Sequence, residues 1–343
     1  MYITFLIGNG FDVNLGLDTR YSDFYPFFLD KAHKDNMIRE WISNNVDEWS
    51  DLELELGRHL EKLSNENLQD FFSAKDELDL LLGQYIEEQQ NNIGNEKIQL
   101  MSVEFVRSIS KFEYGLPNVE KTKIQSIKSA YYNQEFEYHF LDFNYTDIID
   151  RLIELVGQKE SISKHAYKGS TIKEVIGRVV HVHGTTNSNM ILGINDISQI
   201  NNTLLANNIE LQDYIIKERI NAGLKQNTVR MAKGIIDKSH IICVYGMSLG
   251  DTDNMWWQYI INWLLTDNSN TLIIYNYYKD VDKLKKLPAR KVQKTNEVIR
   301  KFLNKMKLSE HLYNKISSKV YVVFENNIFK FDTINNNSLG NSE

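Results

Sequence analysis

An asparagine and a histidine stand where two short apolar runs of this chain give out. Asn144 follows the run 138–143, within Asp142-Phe143-Asn144-Tyr145-Thr146-Asp147, and His183 closes the run 178–184 just before Gly184. A carboxamide at a strand end can orient a water or a ribose hydroxyl, because it both donates and accepts. A histidine there titrates near neutral pH and can act as a general base. Plainer readings stand beside these. Asn144 also suits a turn ahead of a helix starting near Asp147. Alternation along a strand puts His181 and His183 on one face, where they also suit simple hydrogen bonding. No metal is expected, since no third ligand stands at a suitable spacing.

Two glycine-bearing stretches add to this pair. Gly8-Asn9-Gly10 ends the apolar run 2–8, with Asp12 two residues on. Glycines directly after a buried strand allow the backbone to approach a pyrophosphate, and a helix N-terminus favours its charge. They equally serve as a plain strand-to-helix turn. A dinucleotide fingerprint would place a third glycine at Val13 and an acidic strand end about 20 residues later, and both are missing. The second stretch, Gly246-Met247-Ser248-Leu249-Gly250-Asp251, follows the run 240–246. Its backbone N–H groups and Ser248 can hold phosphate or ribose oxygens. It also matches the Gly-x-Ser-x-Gly spacing of a nucleophile elbow, which keeps a serine hydrolase open, although the one histidine that follows is His311.

These residues need a frame. Six nearly continuous runs of Val, Ile, Leu, Phe and Tyr, at 2–8, 138–143, 178–184, 240–246, 271–277 and 319–325, suit strands buried on both faces. Helical patterns separate them, which points to a doubly wound, mostly parallel α/β sheet of Rossmann-like kind. Such sheets bind ligands at the carboxyl ends of their strands. Residues 9–137 are far more than one crossover needs. Helical patterns at 21–44, 51–63, 66–91 and 96–112 make 21–130 a helical insertion, so 1–20 and 131–335 form the α/β domain and 336–343 a disordered tail. Residues 185–239 are polar and mostly helical, suiting a lid.

Composition sets outer limits. The 343 residues are 42% apolar and 25% charged, with a formal charge of −7 and one cysteine. A net negative chain has no general attraction to nucleic acid. One cysteine supports neither a disulfide framework nor a cysteine-ligated zinc. Neither a membrane span nor a signal peptide is expected, and the cytoplasm is the expected location. Residues 281–310 hold ten basic and three acidic side chains, a local net charge of +7. That segment suits a solvated helix face, with a nucleic-acid patch as the sharper alternative.

Taken in order, Gly8-Asn9-Gly10-Phe11-Asp12, Tyr21-Ser22-Asp23-Phe24, Trp49-Ser50-Asp51-Leu52-Glu53, Phe143-Asn144-Tyr145-Thr146-Asp147, Val182-His183-Gly184 and Gly246–Asp253 resemble the phage abortive-infection AbiH family over most of the chain. A more distant resemblance is to sirtuin-like NAD-consuming enzymes. Gly8-Asn9-Gly10 with Gly16 is similar to their first glycine block, with Asp12 where serine is usual. Asn144-Tyr145-Thr146 and His183-Gly184 resemble their catalytic blocks, Gly246-Met247-Ser248-Leu249 their ribose-binding block, and Asn276 an asparagine at the adenosine end. The four-cysteine zinc ribbon of sirtuin deacylases has no counterpart. The resemblance implies an anti-phage effector hydrolysing NAD at the nicotinamide–ribose bond. Asn144 and His183 would be catalytic. Gly8, Asn9, Gly10, Asp12, Gly184, Gly246, Ser248, Asp251 and Asn276 would bind the nucleotide. It also implies a phage-derived trigger or co-encoded partner, and a homo-oligomer. A nucleotide sensor without turnover and a nucleic-acid-targeting toxin built on 281–310 are the alternatives.

Overall fold

The computed structural model describes residues 1–157, 161–324 and 328–331. Seven strands form one sheet: β1 (Tyr2–Ile7), β2 (Phe136–Asp142), β3 (Ser161–Tyr167), β4 (Ser170–His181), β5 (Ser239–Tyr245), β6 (Thr271–Tyr275) and β7 (Val320–Val323), in the order β3-β4-β2-β1-β5-β6-β7. Every pairing is parallel except the β3–β4 hairpin. Leaving out β3, the parallel strands run 3-2-1-4-5-6 in chain order, the Rossmann-like arrangement. Its direction reverses between β1 and β5, which is where such sheets open a crevice beyond their strand ends.

Each of the six apolar runs overlaps a strand. Residue 325, at the end of the last run, and the tail 336–343 lie outside the described residues. The hairpin partner β3 and the first eight residues of β4 escape the apolar criterion. Ser161–Tyr167 is half-buried or exposed throughout, so it needs no apolar run. Lys168 and Gly169, both at positive φ, make the tight two-residue turn between them. The pattern at 21–44 resolves into two helices, Tyr21–Lys31 and Met37–Asn44. The break comes at Asn36, whose side chain caps the second by accepting from Arg39 N at 2.9 Å. A helix at Asn118–Ala130 completes the segment.

Three cores hold the molecule together. On one sheet face, Phe5, Phe140 and Tyr245 pack under the helices Asn95–Ser110 and Ile148–Val156, closed by Phe329 and Phe331. On the other, Leu6, Val244 and Ile274 meet the helices Thr228–Lys238 and Asn254–Thr266, whose Trp256 and Trp257 are buried. The third core, as far as the described residues go, draws on no strand of the sheet. Trp49, Leu56, Phe71 and Leu78, from residues 21–91, pack with Leu192, Ile194, Leu211 and Ile215 from the long loop after β4. The cover of this helical unit is therefore drawn from two distant segments. Asn202 Nδ2 donates to the carbonyls of Leu60 (3.0 Å) and Leu63 (2.9 Å), fixing one to the other.

Gly57, in the helix Leu52–His59, marks a close backbone approach of the two segments. A Cβ there would sit 2.4 Å from the Gln199 carbonyl oxygen. Gly57→Ala should therefore lower unfolding free energy by about 1–3 kcal/mol, read from urea denaturation. Gly83→Ala should show no such loss, because its new methyl meets nothing nearer than 3.7 Å and a helical Ala outdoes Gly.

Candidate functional site

The loops leaving β1 and β5 meet at the point where strand order reverses. Gly8 N donates to the Tyr245 carbonyl (2.9 Å) and Gly10 N to the Gly246 carbonyl (2.8 Å). A Cβ on Gly10 would lie 2.6 Å from Gly246 Cα, and one on Gly8 2.5 Å from Met247 Cγ. Gly246 itself has φ of +72°. These glycines thus let two backbones touch. The N–H groups of Gly8 and Gly10 are already committed to carbonyls, so the phosphate cradle expected from Gly8 and Gly10 is not built from those two amides.

Two cavities flank this contact. One, of about 680 Å³, reaches from Asn9 and Gly10 past Tyr245 to Asn276 and Phe324. The other, of about 430 Å³, runs from Gly8 and Asp12 to Asn144 and His183, and is walled on its far side by the helical unit. Both are lined by Asn9, Arg20, Gly246, Met247 and Ser248, so they share a neck. Asn9 spends its carboxamide on Thr19, donating to its carbonyl (2.9 Å) and accepting from its hydroxyl (2.5 Å). That exchange sets the start of the helix Tyr21–Lys31 and brings Arg20 to the neck.

Most of the expected residues converge here. Gly8, Asn9, Gly10, Asp12, Asn144, His183, Gly246, Ser248 and Asn276 line one cavity or both. Two do not. Gly184 turns the chain at φ +73° against the Asn189 carbonyl. Asp251 is mostly exposed and pairs with Lys305 at 2.6 Å. Nor is Ser248 on an elbow. It lies six residues before the helix Asn254–Thr266, and it is not among the residues at positive φ. The two histidines also part company. β4 ends at His181, whose Nε2 meets Asp150 at 2.6 Å, while His183 lies beyond the strand in the cavity.

Burial sets the chemistry of the cavity floor. Asn144 is only 4% exposed, and among the described residues neither atom of its carboxamide makes a hydrogen bond of good geometry, although it lies near enough to Asp12 to ease the burial of that carboxyl. Its backbone N–H is anchored by Asp142 Oδ1 at 3.0 Å. A buried amide left unsatisfied is costly unless something else meets it. Asp12, beside it, accepts from Thr146 Oγ1 at 2.9 Å. Burial, reinforced by the charge of Asp142, raises the Asp12 carboxyl well above the usual range. Burial also lowers His183 to about 4, with the Lys217 charge adding to the effect and Asp253 opposing it. The imidazole is therefore neutral at physiological pH, and its Nε2 lies 3.9 Å from Asp253 Oδ1.

The opposite wall is made of residues that spacing did not single out. Glu53 Oε2 receives Lys217 Nζ at 2.6 Å across the two segments of the helical unit, and both side chains are buried. Burial raises Glu53 to about 7, against the pull of Lys217. Asp51 caps the helix Leu52–His59 with one oxygen, and its other oxygen accepts from Thr252 Oγ1 at 3.3 Å. Among the described residues no group of three or more His, Cys, Asp or Glu is disposed to hold a metal ion, and no helix is long and apolar enough to cross a membrane.

A family model described as bacteriophage abortive infection AbiH matches residues 4–277. That span includes every cavity residue named above except Phe324. No curated protein matches the chain.

The buried carboxyl under Asn144 gives a pH signature. Burial raises Asp142 to about 7, partly offset by His181, so the folded protein keeps a proton that the unfolded chain has released by about pH 4. Its stabilising contribution is therefore lost as pH rises through about 7. Asp142→Asn, which keeps an acceptor for Asn144 N–H, should gain stability relative to the parent between pH 5 and pH 8. The gain should be about 2–3 kcal/mol, seen in thermal melts at both pH values. A difference that does not change with pH would contradict the assignment.

Proposed function

We infer the function of this chain from its kinship and its cleft together: it belongs to the bacteriophage abortive infection AbiH family, and its two joined cavities suit a dinucleotide. Membership carries a role in anti-phage abortive infection. The finer reading is that the protein hydrolyses NAD at the nicotinamide–ribose bond. The adenosine end would occupy the 680 Å³ cavity near Asn276. The pyrophosphate would cross the neck beside Arg20 and the Gly246–Ser248 backbone. The nicotinamide riboside would enter the 430 Å³ cavity.

The observation that carries this reading is the buried, unpartnered carboxamide of Asn144 in the same cavity as a neutral His183. Asn144 can accept from a water proton and donate to a ribose oxygen, which fixes the water in the direction of attack. The C1′–N1 bond breaks with its electron pair going to nicotinamide, which leaves as a neutral base. The water oxygen bonds to C1′, and its proton passes to His183 and then to solvent. Asp253, at the start of the helix Asn254–Thr266, steadies the imidazolium formed in that step. Its 3.9 Å separation is one that catalytic pairs commonly shorten when substrate arrives.

Asn144→Ala and His183→Ala should each lower NAD cleavage by about 10²–10⁴-fold and abolish protection against phage, as followed by nicotinamide release and by plaque counts. NAD that stays intact with wild-type protein and infecting phage would overturn the reading. An unaltered dinucleotide recovered with the protein would instead make the site a sensor.

A further inference from the structure

We propose that Glu53, presented across the cleft by the helical unit, is a catalytic residue for the same reaction: its carboxylate accepts a hydrogen bond from the nicotinamide ribose and stabilises the positive charge that builds there as the glycosidic bond breaks. This rests on the NAD-cleaving reading and adds to it a residue from the opposite wall.

The geometry of the pair is the starting point. Glu53 and Lys217 are each about 5–6% exposed, yet both line the cavity that holds Asn144 and His183. Removing two charges from water costs more than their attraction reliably returns, so an apolar pair would hold the two segments of the helical unit at least as well. A buried pair on a cavity wall is better accounted for by what faces it. Lys217 occupies one carboxylate oxygen, Oε2, and holds the side chain in one orientation. Among the described residues the other oxygen, Oε1, has only the Tyr145 hydroxyl at 3.4 Å, beyond the 2.5–3.0 Å of a well-made O–H···O bond. Tyr145 is nearer the Ile191 carbonyl, at 3.2 Å. Oε1 is therefore open to a stronger donor from within the cavity.

The charges around Glu53 suit a cationic transition state. Asp51 and Asp253 line the same space, with Lys217 and, at the neck, Arg20 as the cations set against them. Tyr21 and Tyr145 complete the wall with neutral phenols, which burial holds protonated. A sugar losing its cationic nicotinamide passes its positive charge to C1′ and the ring oxygen. A carboxylate fixed beforehand stabilises that charge without reorganising. Glu53 changes no bond of its own: the electron pair leaves with nicotinamide, and the water proton goes to His183.

Glu53→Gln alone would strand Lys217 in a buried site and risk the fold. The test is therefore the double variant Glu53→Gln/Lys217→Met, in which a neutral amide faces an apolar chain of similar length. It should fold and bind NAD within a few-fold of wild type while cleaving it at least about 100-fold more slowly. A double variant that folds and cleaves NAD at the wild-type rate would overturn the role of Glu53 and leave the NAD-cleaving reading intact. Wild-type protein that leaves NAD untouched with phage present would overturn both.

Discussion

Everything in the cleft depends on two backbones touching. The loop after β1 and the loop after β5 exchange hydrogen bonds through Gly8, Gly10 and Gly246, at distances that no side chain would allow. The strand order reverses there, so the helices that follow the two strands depart to opposite faces of the sheet. A crevice must form above the contact. Without Cβ atoms the loops lie flat, and the crevice divides into two cavities with a narrow neck. These glycines shape the space that the proposed nucleotide would occupy. Gly8 and Gly10 spend their N–H groups on carbonyls, so in that reading the anionic centre of a dinucleotide falls to Arg20 and the Gly246–Ser248 segment.

The second constraint is dehydration. Asp12, Asp142, Glu53 and His183 are all shifted toward their neutral forms, and burial is the first cause for each. The same loss of water that favours the protonated forms of Asp12 and Asp142 keeps His183 unprotonated, while Lys217 opposes it at Glu53. Structural carboxyls rarely need to lie so deep. Asp12 is the case in point: among the described residues it has no cationic partner, and it accepts a hydrogen bond from Thr146 beside the carboxamide of Asn144. A dry floor strengthens every dipole aimed into the cavity, and in the proposed reaction it would discourage stray water from competing with the one that Asn144 would orient.

The sheet was legible in the sequence because a strand buried on both faces has to be an unbroken apolar run. The β3–β4 hairpin was not, since Ser161–Tyr167 pairs along one edge only and is never fully buried. Asn144 and His183 were legible because a polar residue at the end of an apolar strand has few places to go. Choosing between Asp251 and Asp253 needed the helix boundary. With the helix beginning at Asn254, Asp253 is its cap and turns toward His183, while Asp251 turns outward to Lys305. Glu53 and Lys217 meet across 164 residues of chain. Their pairing depends on how two remote segments share one core, and neither spacing nor composition carries that information.

That shared core gives the helical unit its mechanical meaning. Residues 21–91 leave the sheet directly after the β1 turn, and residues 190–216 leave it directly after His183. Each segment is therefore tethered next to one end of the cleft. Packed together around Trp49 and Leu56, they form a wall whose position depends on both tethers. The Glu53–Lys217 bond joins the two segments inside the cavity itself. A wall held in this way can exclude water when the cleft is filled and still let a ligand enter through the neck. The sheet supplies fixed groups that bind and orient, and the two-segment wall supplies the enclosure that makes their dehydration effective.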